Sequence, residues 1–126
     1  MISQQLIANR LPVWKALSNL YIDTELQDYD FKNIAYIIKE SPYQLEEVKN
    51  IHKYEVFPVL YQNLLIVAGV WDGFDEKWLA EEIIKSIKKR NKLKTLFIEI
   101  VYATQKAMFK EIWKKIENTL TQNKPI

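Results

Sequence analysis

PVLYQNLLIVA, residues 58–68, is apolar on nearly every side when it is drawn as a helix. A helix of this kind usually forms the buried centre of a small bundle, because no face of it is polar enough to meet water. The wider stretch from Val56 to Val70 contains Gln62 and Asn63 and is too short to span a bilayer, so no membrane partner is expected. We therefore expect the rest of the chain to pack around this segment.

Helix signals lie on both sides of the central segment. Asp30 and Ser41 are suited to cap a second and a third helix, because their side chains accept hydrogen bonds from the free N–H groups of a first turn. Proline is tolerated in a first turn but interrupts a helix interior, so Pro58 should bend or end the third helix. The predicted helices cover about 12–21 with Pro12 in the first turn, 30–41, 42–57 with Pro42 in the first turn, 58–68, and 75–90 with Asp75 as the cap.

The last third of the chain has apolar residues at helical spacing from Leu93 to Leu120, which predicts a basic C-terminal helix over residues 93–121. Residues 96–102 (LFIEIVY) also have a strand-like composition, but no second strand is predicted for them to pair with. Two glycines in 126 residues are too few for the tight turns of a β-sandwich. The sequence predicts an all-α, single-domain bundle of five to six helices over residues 1–126.

The composition excludes several classes of site. The chain contains no cysteine, so disulfides, zinc fingers, iron–sulfur sites and thiol nucleophiles are ruled out. Its first residues show no basic stretch followed by an apolar run, which is the pattern of a signal peptide. We expect a cytoplasmic protein without a cofactor or a metal site.

Four stretches carry a family resemblance: RLPVWKALSNLYIDTEL (10–26), SPYQLEEV (41–48), EVFPVLYQNLLIVAGVWDGFD (55–75) and WL (78–79). Together they resemble an uncharacterised family of small bacterial helical proteins. The resemblance covers roughly residues 10–80 and leaves out the basic last third. It implies a small helical bacterial protein and transfers no catalytic residue.

Polar residues near predicted helix ends form the first candidate site. Clustered carboxylates are able to bind a divalent cation or to divide acid–base roles between them. The alternative, which we expect, is that they cap helices and pair with arginine. We also expect that polar side chains next to Pro58 satisfy backbone groups that the bend frees. The candidate residues are Arg10, Asp23, Glu25, Glu55, Asn63, Asp72 and Asp75.

Three aromatic residues, Trp71, Phe74 and Trp78, lie within eight positions of one another. If they are exposed, they form an anchor of the kind that dominates protein interfaces. If they are buried, they close the bundle, and we expect burial because Phe74 is placed to pack on Leu79 at the start of a helix. His52 is the only histidine of the chain and lies beside the apolar stripe of its helix, so we expect a packing residue and not a general base.

The charge of the chain is strongly polarised. Residues 1–84 carry 7 Lys/Arg and 13 Asp/Glu, a net charge of −6, whereas residues 85–126 carry 11 Lys/Arg and 3 Asp/Glu, a net charge of +8. Such asymmetry marks a binding surface for nucleic acid, a membrane or an acidic protein, unless the basic part lies against the acidic part. The densest basic run is formed by Lys85, Lys88, Lys89, Arg90, Lys92 and Lys94.

We expect a non-enzymatic protein-binding module, in its specific form an immunity protein that neutralises a bacterial toxin by covering a charged site. The first alternative is a nucleic-acid-binding protein that uses the basic region 85–115, including Lys106, Lys110 and Lys114. The second alternative is an enzyme with carboxylates at Glu55 and Asp72. Sequence patterns leave the partner and the oligomeric state open.

Overall fold

A computed structural model describes residues 3–21, 26–61 and 75–122 of the chain. Regular structure in these ranges is entirely helical, which confirms the predicted all-α, single-domain bundle. The elements are α1 (Gln4–Ser18), a 3₁₀ turn (Asn19–Tyr21), α2 (Asp28–Glu40), α3 (Leu45–Ile51), a π turn (His52–Val56), α4 (Phe57–Leu60), α5 (Glu76–Lys88), α6 (Lys92–Thr104) and α7 (Lys106–Gln122).

The first helix starts earlier than predicted. Ser3 caps α1, since its hydroxyl oxygen accepts from the backbone N–H of Leu6 at 3.0 Å. Pro12 therefore lies inside α1 and not in its first turn, so the predicted start at Pro12 is wrong. The helix tolerates this proline at the cost of one main-chain hydrogen bond, that of the Ala8 carbonyl four residues earlier.

Two other predicted caps act differently. The carboxylate of Asp30 accepts from the backbone N–H of Gln27 at 2.8 Å, so Asp30 stabilises α2 from the third helical position and Gln27 is the cap. Ser41 ends α2, because its hydroxyl donates to the carbonyl of Ile38 at 2.6 Å. The third helix accordingly begins at Leu45 and not at position 42. Asp30 and Ser41 therefore each form a hydrogen bond with a backbone group of the preceding turn, and not with the following turn as predicted.

The helix does not end at Pro58. The chain widens into the π turn His52–Val56 and continues as α4, with Pro58 in its first turn. Phe57 and Leu60 are buried, so the described part of the predicted central segment lies in the core. Residues 62–68 of that segment lie outside the described ranges.

The core is formed where α1, the π turn and α4 meet α2, α5 and α7. α2 packs along α7, and α1 contacts both α2 and α5. The π turn contacts α1, α5 and α6, whereas α7 is attached to the body mainly through α2. The fully buried large side chains include Trp14, Leu17, Ile34, Phe57, Leu60, Leu79, Ile83, Phe109 and Ile116.

The last third is two helices and not one. α6 and α7 are separated at Gln105, whose φ of −110° and ψ of 10° interrupt the helix. The strand alternative for residues 96–102 is wrong, because α6 runs through them. Asn91 caps α6 by accepting from the N–H of Lys94 at 2.9 Å. Among the described helices, none is long and apolar enough to cross a membrane.

Candidate binding surface

Glu55 holds α1 against the π turn. Its carboxylate pairs with the guanidinium of Arg10 and also accepts from the indole N–H of Trp14 at 2.8 Å. Arg10 in turn lies over the ring of Tyr43, with 5.6 Å between the guanidinium carbon and the ring centroid. Both oxygens of Glu55 are therefore engaged by side chains, and this part of the predicted carboxylate cluster is an arginine–carboxylate tie between helices.

Of the remaining members of that cluster, Asp75 lies within the described residues. Asp75 caps α5, as predicted, with its carboxylate accepting from the N–H of Trp78 at 2.9 Å. Across residues 3–21, 26–61 and 75–122, no three His, Cys, Asp or Glu side chains are grouped to hold a metal ion. The candidates outside these ranges are Asp23, Glu25, Asn63, Trp71, Asp72 and Phe74.

The backbone at Pro58 is supported from a distant helix. Pro58 lacks the N–H that the carbonyl of Tyr54 would accept in an α-helix. The guanidinium of Arg90, just after α5, donates to that carbonyl instead. The expectation that Glu55 serves the backbone freed by the bend is therefore wrong, since Glu55 binds the side chains of Arg10 and Trp14.

A second link joins the π turn to α6. The hydroxyl of Tyr54 donates to the carboxylate of Glu99, and Lys53 Nζ lies 3.0 Å from the other oxygen of that carboxylate. The pKa of Glu99 is lowered, first by the hydrogen bond from Tyr54 and then by that from Lys53. Sequence reasoning missed this network, because nothing in a single sequence pairs residues 45 or 46 positions apart. It fixes the rotation of α6 about its own axis.

His52 is completely buried among aromatic rings, which confirms a packing role. Its Nε2 lies 2.7 Å from the hydroxyl oxygen of Tyr21, and the ring of Phe109 is 4.7 Å away centre to centre. Burial lowers the pKa of His52 to about 3 and raises that of Tyr21 well above its ordinary value. A neutral, enclosed imidazole of this kind is out of reach of a substrate.

The basic run differs from a uniform charged patch. Arg90 is turned inward to Tyr54, and Lys85 pairs with Glu82 at 3.2 Å within α5. Four lysines remain exposed with no ion pair to another described residue: Lys88, Lys89, Lys92 and Lys94.

The basic helices are not neutralised by the acidic half within the described ranges. One short ion pair within α5, Lys85 with Glu82, joins the basic part to the acidic part. The ion pairs between different helices run in the opposite sense, with Lys49 and Lys53 of the first part bound to Glu117 and Glu99 of the second. Lysines of α5–α7 therefore keep their charge toward solvent.

α6 carries an apolar stripe on its outer side. Leu93 is 75% exposed, Phe97 55% and Ile100 58%, and Leu96 lies between them on the same face. At about 100° per residue, these four positions fall on one side of the helix. The inward side contains Ile98, which is buried, so the stripe points away from the body.

A cleft of about 560 Å³ lies beside this stripe, between α4, α5 and α6. Phe97 borders both the stripe and the cleft. Trp78, on the opposite wall, is 44% exposed, so the expectation that this aromatic residue is buried in the core is wrong. The cleft is lined by apolar side chains (Phe57, Trp78, Phe97, Ile98, Val101) and by cationic ones (Lys85, Lys89, Arg90, Lys94).

We use the name α5–α6 surface for the cleft together with the stripe of Leu93, Leu96, Phe97 and Ile100. The name also includes the exposed lysines of this region: Lys85, Lys88, Lys89, Lys92 and Lys94. The helical spacing of the apolar residues in the stripe was visible in the sequence. Such spacing normally indicates the side of a helix that faces the core. The direction in which they point depends on tertiary contacts such as those of Glu99 with Lys53 and Tyr54, which sequence reasoning did not find.

Comparison with protein families gives a match that covers most of the chain. A family model described as a domain of unknown function (DUF7079) matches residues 8–119. The match includes α5, α6 and most of α7, so the family extends past residues 10–80, where the quoted motifs lie. No curated protein and no solved structure matches the chain. Since the family model spans most of its length, the chain belongs to the family of the domain of unknown function DUF7079.

Proposed function

We propose that this chain is a non-enzymatic binding module that recognises another protein through the α5–α6 surface. The observation that carries the proposal is the stripe of large apolar side chains on the outer side of α6. A contiguous apolar patch with a polar rim is typical of a protein interaction site, whereas single exposed apolar residues are ordinary. The adjoining cleft offers a pocket of the kind in which interface anchors are seated.

The specific form of the proposal is an immunity protein that neutralises a toxin by covering it. Polarised charge supports this form, because complementary potentials speed association and reject wrong partners. Exposed lysines on α5–α7 and a net negative first half give the molecule such a polarity. The bacterial setting rests on the sequence resemblance alone.

Nucleic acid binding is the second candidate, and the exposed Lys88, Lys89, Lys92 and Lys94 favour it. Against it stand Leu93, Leu96 and Ile100, which occupy the same surface. Aliphatic side chains neither contact phosphates nor stack on bases as aromatic ones do. A surface that mixes lysines with exposed aliphatic residues suits an amphipathic protein partner better than a polyanion.

The test is a pull-down with tagged protein from a lysate of the organism that encodes the chain, with nuclease, at low and at moderate salt. The stripe variant Leu93→Gln/Ile100→Gln is compared with the matched variant Tyr29→Gln/Tyr36→Gln, which removes exposed aromatic residues from α2. We expect a stoichiometric protein that the wild type and the α2 variant capture and the stripe variant does not. Equal capture by both variants, or recovery of nucleic acid alone that disappears with nuclease and salt, would contradict the proposal.

A further inference from the structure

The rim of the α5–α6 surface is cationic along α5 and α6. Lys85, Lys89 and Lys94 line the cleft, and Lys88 and Lys92 are exposed on the same two helices. Glu82 is the acidic side chain among the lining residues, and it is paired with Lys85. The carboxylate of α6, Glu99, is held on the inward side by Lys53 and Tyr54. A ligand of this surface therefore meets lysines around an apolar floor.

The cleft has the size and lining of a side-chain pocket. Its volume of about 560 Å³ lies within the range of roughly 300–1,000 Å³ that is usual for ligand clefts. Phe57 and Ile98 form a buried floor, and Trp78 and Phe97 form partly exposed walls. Apolar walls desolvate an apolar side chain well but give no partner to a polar one, so a bulky apolar group fits best.

The charge of the rim argues against a second copy of this chain. Parallel pairing of α6 with α6 of another molecule would bring Lys92 and Lys94 against the same lysines of the copy. In either direction of pairing, α6 offers these lysines no free carboxylate, because Glu99 is bound by Lys53 and Tyr54. Like charges in an interface suppress association. A flat bilayer surface, for its part, leaves the concave cleft unfilled.

Building on the proposed function, we propose that the partner presents an acidic segment whose carboxylates contact Lys89 and Lys94 while its apolar side chains cover the α6 stripe and one of them enters the cleft between Trp78 and Phe97. The apolar contacts supply affinity, and the lysines supply the rate of encounter and the orientation. A peptide that combines both features is sufficient for recognition, whereas one that has either feature alone is not.

The test uses three fluorescein-labelled peptides and the full chain, with binding followed by anisotropy. The first peptide carries Glu with Leu and Phe at helical spacing, the second has Lys in place of Glu, and the third has Ser in place of Leu and Phe. We expect the first to bind at least tenfold more tightly than the others. Lys89→Glu/Lys94→Glu should weaken it at least tenfold, and the matched reversal Lys106→Glu/Lys110→Glu on α7 should leave it unchanged.

Equal affinity for the first two peptides, or equal loss in both charge reversals, would overturn this inference. Two further readouts identify a different occupant: sedimentation of the free protein, and co-sedimentation with vesicles of phosphatidylserine and phosphatidylcholine. Dimerisation or vesicle binding that Leu93→Gln/Ile100→Gln abolishes would assign the surface to a second copy or to a membrane and would also overturn it. Capture of a protein in the pull-down that Lys89→Glu/Lys94→Glu does not weaken would leave the proposed function standing without this inference.

Discussion

The guanidinium of Arg90 donates a hydrogen bond to the main-chain carbonyl of Tyr54, 36 residues earlier in the chain. The position of that carbonyl explains the contact, because its α-helical partner would be the N–H of residue 58, which is a proline. A cation in the turn between α5 and α6 thus supports the backbone of the π turn. Arg90 belongs to the basic run in sequence and to the scaffold in structure.

Replacing Arg90 should therefore lower stability more than replacing a neighbouring lysine. We expect Arg90→Ala to reduce the free energy of unfolding by about 1–3 kcal/mol, since a partly buried carbonyl loses a charged donor. The exposed neighbour Lys89→Ala serves as the control and should change it by less than about 0.5 kcal/mol. Urea unfolding followed by circular dichroism measures both. Equal effects of the two substitutions would refute a structural role for Arg90.

A double-mutant cycle isolates the link to the proline. Pro58→Ala restores an N–H at the position that faces the Tyr54 carbonyl in an α-helix. In that background we expect Arg90→Ala to cost at least about 0.5 kcal/mol less than in the wild type, which is the size of coupling that contacting groups show. A cost that is the same in both backgrounds would mean that Arg90 acts independently of Pro58.

Glu55 should also be a stability residue. Glu55→Gln removes the charge that faces Arg10, and we expect a loss of about 2–3 kcal/mol because the side chain of Glu55 is only 12% exposed. Glu46→Gln on α3, where the carboxylate is 83% exposed, is the matched control and should cost less than about 0.5 kcal/mol. Thermal or urea unfolding checks both. A Glu55→Gln protein as stable as the control would reopen a role for Glu55 in binding or chemistry.

Asp75 acts through its carboxylate oxygen and not through a specific charge. We expect Asp75→Asn to keep most of the stability, because asparagine also caps helices well, and Asp75→Ala to lose about 1 kcal/mol. Glu76→Ala, at the first position of α5, is the neighbouring control. If Asp75→Asn and Asp75→Ala were equally destabilising, the hydrogen bond to the N–H of Trp78 would not be the reason for the effect.

The helical architecture was predictable because helix formation depends on neighbours in sequence. Apolar spacing and the Asp75 cap identified α5, and the proline at position 58 indicated a new segment that begins close to the first residue of α4. Ser41 and Asp30 show the limit of predicting helix caps from sequence. Each side chain is within reach of more than one backbone group, and the hydrogen bond that forms is not the predicted one. The break between α6 and α7 at Gln105 was not predictable, because no proline or glycine lies next to it in the sequence.

The candidate surface was not predictable, because periodicity shows which residues share a face and not which way the face points. Leu93, Phe97 and Ile100 have the spacing of a core stripe, yet α6 turns them outward. The contacts that set this rotation, from Glu99 to Lys53 and Tyr54, connect distant parts of the chain. Exposure of the stripe is thus a tertiary property that the local pattern does not contain.

His52 makes the fold sensitive to mild acid. Its pKa falls to about 3 in the folded state because the ring is buried, whereas an exposed histidine has an ordinary value near 6.5. Below pH 6.5 the unfolded chain takes up a proton that the folded chain refuses, so stability is complete above this pH and declines as the pH falls toward 3. Because the chain has one histidine and most carboxylates titrate lower, the interval from pH 7 to pH 5 reports on His52. We expect the free energy of unfolding to drop by about 2 kcal/mol over this interval in the wild type.

His52→Gln should remove most of that slope, although it lowers stability at pH 7 because the contact with Tyr21 is altered. Urea unfolding at pH 7, 6 and 5 measures both the free energy of unfolding at pH 7 and its change with pH. The variant is therefore informative even if it is less stable than the wild type at every pH. Tyr36→Gln, at an exposed position of α2, is the control and should keep the wild-type slope. If His52→Gln and the wild type lost stability in parallel between pH 7 and 5, the acid sensitivity would have to come from groups other than the enclosed imidazole.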